Sequence, residues 1–139
     1  MPDNILDRLP HEGAARLPEE ILLFEPGRRV VARRRFPRGS GLLNPSGRLP
    51  SVLLVEMMAQ VGGLLVEDPD AGSSQYGLLA GVKRMHLHAT AGAGETVIVD
   101  CSLIRRMGDL YMIRCQGTIG DRPAAHGSIH IRRVRREGS

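Results

Sequence analysis

At 139 residues the chain is sized for one domain with one core, and with two Phe, two Tyr and no Trp that core must be built from Leu, Val, Ile, Met and Ala. The formal charge is +4, but few aromatic side chains are available for base stacking and no helix-turn-helix, zinc or RNP-like spacing is present, which argues against a nucleic-acid binder. No run of 18 apolar residues occurs, and the opening MPDNILDRLPHEG lacks a basic stretch followed by an apolar block. A membrane span and a signal peptide are therefore not expected, and a cytoplasmic location is the default.

In chain order, ILDRLPHEG reads as a short helix stopped by Pro10. Residues 21–25, ILLFE, form a compact apolar strand ending at the turn pair Pro26-Gly27. GRRVVARRRFP is a second strand, closed by Pro37. Residues 38–50 hold three Gly and two Pro and form a loop, after which Pro50-Ser51 start a helix with Ser51 as N-cap or early helical residue.

From Val52 to about Val66 the sequence is apolar almost all the way round, and a helix without a polar face is a buried one. It is too short and interrupted for a membrane, so a sheet must wrap it. It carries a single acid, Glu56, with Gln60 four residues on and on the same face. The plainer reading of Glu56 is a structural acid paired with an Arg or hydrogen-bonded through Gln60, since a buried charge is costly unless paired.

After residue 74 the chain reads as strands: YGLLAGVKRMHLHA, ETVIVDCSLIRR, LYMIRCQGTIG and AAHGSIHIRRVRR, separated by AGAG, MGD and GDRP turns. One early buried helix followed by antiparallel strands is an α+β layout, an antiparallel sheet curled around one long helix. Cys101 and Cys115 flank the Met107-Gly108-Asp109 turn, fit no metal pattern, and are expected as plain core or strand residues. Arginine clusters at 28–29, 33–38, 105–106 and 132–136 suit an acidic protein partner as well as a plain solvated face.

ILDRLPH, FEPGRRVVARRRF, LPSVLLVEMMAQVGG and LLAGVKRMHLHATAGAGETV together resemble the bacterial β-hydroxyacyl-acyl-carrier-protein dehydratases, whose helix typically reads M-P-G-V-L-x-x-E-A-x-A-Q-x-G-G. The resemblance implies a single hot-dog domain over 1–139 and a homodimer or trimer of dimers, with sites at the subunit boundary. It also implies an acyl thioester on acyl-carrier protein or coenzyme A, in fatty-acid or related lipid or polyketide biosynthesis, with no cofactor or metal. The family's catalytic pair is a His in a G-H-F-P-x-x-P loop and the helix acid fourteen residues later. The acid matches Glu56, whereas the His position is Leu42, preceded by the matching Gly41.

Dehydration needs a base for the α-proton, an acid for the departing hydroxyl and a donor on the thioester carbonyl. By resemblance Glu56 supplies the acid and the Ser51 backbone N–H the carbonyl donor, with Gln60 and Gly41 lining the substrate. Leu42 can neither accept nor donate a proton. His11 matches the family's Pro-His position and is the best rescue base. His86 and His88 read as solvated strand residues, and His126 and His130 share one side of the last strand.

Three functions are open to such a chain. One is an acyl-thioester binder of the dehydratase kind with weak or absent standard activity. Another is a working enzyme, either a dehydratase with a different base or a thioesterase in which Glu56 activates water. The last is a basic interaction module with no small ligand.

Overall fold

The computed structural model describes residues 16–66 and 75–135. His11, the helix expected over ILDRLPHEG and the last residues of the basic tail lie outside them. The elements in chain order are β1 (Glu20–Glu25), β2 (Arg29–Arg35), α1 (Ser51–Gly63), β3 (Gln75–Leu87), β4 (Thr96–Met107), β5 (Leu110–Ile119) and β6 (Arg122–Arg135). They form one antiparallel sheet in the order β1-β2-β4-β5-β6-β3.

This order explains how one sheet encloses a helix. The chain leaves the sheet after β2, runs through α1, and re-enters at the far edge as β3. It then returns to lie beside β2 as β4. β4, β5 and β6 form a meander whose tight turns place Gly108 (φ 60°) and Gly120 (φ 61°) in the left-handed region that glycine adopts without strain.

Side chains alternate across each strand, so one parity points at α1. In β5, Tyr111, Ile113, Cys115, Gly117 and Ile119 are buried, while Arg114 and Gln116 between them are exposed. The inward row of Val97, Val99, Cys101, Ile113, Ile129 and Ile131 belongs to the same core as Leu54, Met57, Met58 and Val61 of α1. Each fully buried side chain of that size contributes about 1.5–3 kcal/mol.

The helix departs from expectation in two ways. It ends at Gly63, and residues 64–66 continue as a turn in which Leu64 and Leu65 N–H donate to the carbonyls of Val61 and Gly62 at 3.1 and 3.0 Å. Nor is it buried all round: Val52 is 70% exposed, and Val55, Glu56 and Ala59 are only half-covered. The sheet closes over three sides of α1 and leaves that stripe open.

Cys101 and Cys115 are register partners on β4 and β5, both buried and free, with their sulfurs 3.3 Å apart. Burial, then the contact with Cys115, pushes the Cys101 thiol well above its usual range. These are core thiols, as their spacing predicts.

β3 meets the helix end so closely that only glycine fits at position 77. A Cβ there would stand 2.7 Å from Ile131 Cγ2, 2.8 Å from Val66 Cγ2 and 3.1 Å from Gly63 Cα. Gly77→Ala is therefore expected to destabilise the fold by about 1–3 kcal/mol. Gly41→Ala, with nothing within 4 Å of its Cβ, changes stability by less than about 0.5 kcal/mol. Denaturant midpoints of the two variants measure the contrast; equal midpoints would contradict this packing.

Candidate functional site

α1 begins without a side-chain cap. Pro50 takes the N-cap position at φ −57°, ψ 138°, so Ser51 is the first helical residue and not the cap. Leu53 N–H donates to the Pro50 carbonyl at 2.9 Å. The Ser51 N–H, at the first helical residue, has no intrahelical acceptor and sits at the positive end of the helix dipole, where a carbonyl or anion is favoured. That is where the resemblance puts the thioester carbonyl.

Glu56 lies one turn in, half-buried on the open stripe between Val52, Val55 and Ala59. The neighbouring Met57 and Met58 are fully buried and hold the helix rotation that presents Glu56 to the open side. An acid there faces an apolar, partly covered strip, suitable for an acyl chain with one polar reacting end.

Gln60, a turn further on, is 3% exposed, and its Oε1 accepts the Leu17 N–H at 2.8 Å. On the other side of the same segment, Arg34 Nη1 donates to the carbonyls of Arg16 and Leu17 at 3.1 and 3.0 Å, with its guanidinium 5.2 Å from the Phe36 ring centroid. Residues 16–17 are thus held at both N–H and C=O between α1 and β2. Gln60, which the resemblance places along the substrate, holds backbone through its Oε1.

Arg34 was hidden in an arginine run. Its parity could have revealed it, because Val30, Ala32 and Phe36 of the same parity are all fully buried. Its neighbours point outward into ion pairs: Arg29 with Asp100 at 2.6 Å, and Arg33 with Glu20 and, at 3.5 Å, Glu19.

Gly41 and Leu42 lie in the loop that feeds the helix. Gly41 is exposed, while Leu42 is half-buried and packs with Leu43 against the core, its N–H donating to Ser40 Oγ at 3.2 Å. An alkyl side chain facing the core therefore occupies the position the resemblance gives to a base.

The histidines gather elsewhere. His86 and His126 are register partners on β3 and β6, and His88 comes just after the end of β3. The His126 ring stacks on those of His86 and His88 at 4.9 and 5.0 Å, and His88 Nε2 lies 3.1 Å from His126 Nδ1. All three are exposed, on the parity opposite to the buried Ile129 and Ile131, so the sheet stands between them and α1. His130 shares that outer parity but is half-buried, and its Nε2 has no hydrogen-bond partner among the described residues. Among the same residues no group of three His, Cys, Asp or Glu side chains is arranged to hold a metal.

One helix clasped by a single antiparallel sheet, with an acid on its open face, is the hot-dog fold. The chain belongs to the ApeP-like dehydratase family, whose model, ApeP dehydratase, matches residues 3–137. The 3-hydroxyacyl-[acyl-carrier-protein] dehydratase FabZ of Ruminiclostridium cellulolyticum is 24% identical over 130 residues, covering 91% of this chain and 92% of that one. The dehydratase heterocomplex ApeI:P from Xenorhabdus doucetiae superposes with a TM-score of 0.78 at 21% identity, covering 93% of this chain and 90% of the other. A hypothetical thioesterase protein with coenzyme A from Streptococcus pneumoniae TIGR4 superposes at 0.67 with 13% identity, covering 84% and 86%. At these identities the two structural likenesses speak for the fold.

The clamp on residues 16–17 is testable. Gln60→Ala leaves the buried Leu17 N–H without its acceptor, and is expected to cost about 1–3 kcal/mol and to speed hydrogen exchange at the Leu17 amide. Unchanged exchange at Leu17 would contradict the clamp.

Proposed function

We propose that the chain binds an acyl thioester of the 3-hydroxyacyl kind along the open face of α1, and that its standard dehydratase activity is weak or absent. The observation that carries this reading is the pairing of a retained acid with a lost base. Glu56 stands on an apolar, half-open strip of the helix, while Leu42 turns an alkyl side chain toward the core. In this reading the Ser51 N–H polarises the thioester carbonyl and Glu56 meets the β-hydroxyl. No group at position 42 removes the α-proton, a loss worth about 10²–10⁴ in rate.

The open strip also calls for a cover. β3 is an edge strand of 13 residues with Leu78, Leu79, Val82 and Leu87 exposed, and an apolar edge of that length is normally paired. A second copy, or a related dehydratase chain as in the ApeI:P heterocomplex, pairing at this edge would bring the site to a subunit boundary. For the carrier, Arg28, Arg29, Arg33, Arg122 and Arg133 are engaged in ion pairs. Arg105, Arg114 and Arg132 remain exposed on the sheet without an ion-pair partner among the described residues, and suit an acidic carrier protein.

A second reading keeps Glu56 and changes the reaction. A thioesterase needs only a carboxylate to activate water and a donor for the carbonyl, and both are present without a His at 42.

Incubation with 3-hydroxyacyl and acyl thioesters, monitoring enoyl product and free thiol, separates these readings. The wild type is expected to form enoyl product slowly or not at all, and Leu42→His to raise that rate by up to about 10²-fold. Glu56→Gln removes whatever turnover remains and changes unfolding free energy by less than about 1 kcal/mol. Fast dehydration that survives Glu56→Gln would place the chemistry elsewhere, and free thiol without enoyl product would select the thioesterase.

A further inference from the structure

Loop 38–47 borders a groove of about 380 Å³ that does not include Glu56; its lining includes Arg38, Ser40, Leu43, Asn44, Ser46 and Ala93. The loop is tied to itself. Asn44 Oδ1 accepts from Ser46 N–H, Ser46 Oγ–H and Arg48 N–H at 3.0, 2.7 and 3.0 Å. Backbone bonds join Asn44 N–H to the Arg48 carbonyl and Gly47 N–H to the Asn44 carbonyl, each at 2.8 Å. Ala93 N–H then fastens the groove's far side to the Gly47 carbonyl at 3.0 Å.

This wiring leaves donors at Asn44, Ser40 and Arg38, while Ser46 Oγ, its proton given to Asn44, can only accept. The Asn44 side-chain oxygen is fully engaged, so its NH₂ remains. Ser40 Oγ already accepts the Leu42 N–H, so its O–H remains. Arg38 is exposed and makes no ion pair or hydrogen bond with the described residues, leaving its five N–H donors available. The neighbouring carboxylate, Glu95, is engaged by Gly92 N–H at 2.7 Å and by Arg122 at 2.6 Å. Arg35 adds positive charge nearby, its Nη2 lying 3.7 Å from where a Cβ on Gly94 would stand. A rigid rim offering donors and positive charge, with no free carboxylate among its lining residues, selects an anion rich in acceptor oxygens.

We propose that this groove binds a phosphate group through Arg38, Ser40 and Asn44, namely the phosphate of a pantetheine-linked thioester whose acyl end lies at Ser51 and Glu56. The identity of the ligand rests on the acyl-thioester reading of the proposed function; the anion site itself rests on the donors. Asn44 N–H is bonded to the Arg48 carbonyl at 2.8 Å, and Arg48 stands three residues, at most about 11 Å of chain, before Ser51. An extended pantetheine arm covers such a distance, so phosphate and thioester can be held on the two ends of one loop–helix unit.

The test is amide NMR on the full chain titrated with 4′-phosphopantetheine, with pantetheine lacking the phosphate, and with inorganic pyrophosphate. Phosphopantetheine is expected to shift the amides of Gly39, Ser40, Ser46 and Gly47 and to bind at least tenfold more tightly than pantetheine. Arg38→Gln, at an exposed side chain outside the loop's own hydrogen bonding, is expected to remove that difference while leaving the remaining spectrum in place. Coenzyme A and a holo acyl-carrier protein, titrated separately, identify the source of the phosphate by which of them gives the Arg38-dependent shifts. Equal binding of the two pantetheines, or phosphopantetheine affinity unchanged in Arg38→Gln, would overturn the proposal. If only pyrophosphate shifts these amides, in an Arg38-dependent way, the anion site stands and the thioester reading falls.

Discussion

The packing of Met57, Met58 and Val61 against the inward rows of β4, β5 and β6 governs where every other part of the candidate site lies. A helix that turns three consecutive residues of such different exposure, Glu56, Met57 and Met58, has its rotation fixed by the two that are buried. The acid is then placed as a consequence, on the side the sheet does not reach. The close approaches at Gly62 and Gly77 draw the sheet tight at the helix's C-terminal end, while at its N-terminal end Val52 stands largely exposed. The candidate site is the region where wrapping stops.

That uneven wrapping also explains the clamp on residues 16–17. The chain before β1 must cross from the sheet to the helix, and its backbone groups there lose water. Gln60 and Arg34 satisfy them from opposite sides, which is the ordinary requirement for buried backbone. Both residues had a second identity in the sequence, one as a substrate contact and the other as part of a basic cluster. Each also holds the scaffold beside the candidate site.

Much of the architecture was legible because periodicity reports it. The period-2 alternation in β4 and β5, the Gly-containing turns and the apolar run after Pro50 gave strand and helix positions within a few residues, and the α+β layout with them. The hot-dog family was legible from the residues around Glu56. Strand order was not, since nothing local says that β3 lands at the far edge and β4 returns beside β2. The open face of α1 was also hidden: Val52 and Val55 are as apolar as Met57, and only the sheet's width separates them. Leu42 could be seen to lack acid–base chemistry, but not that its side chain would join the core. The anion groove was invisible for a related reason, because whether Asn44 and Ser40 offer donors or acceptors depends on which partners the folded loop has already given them.

If an acyl thioester lies on the open face of α1, over Glu56, a ligand with a reactive group at the right carbon must mark that face. The decisive experiment is photocrosslinking with a non-hydrolysable acyl-pantetheine amide carrying a diazirine near the β-carbon, with mass spectrometry of the labelled peptides. Label is expected on the helix segment containing Val52, Val55 and Ala59, reduced by competing unlabelled ligand. Competed label on the outer sheet face around Arg114 and His130, with none on the helix, would contradict this placement.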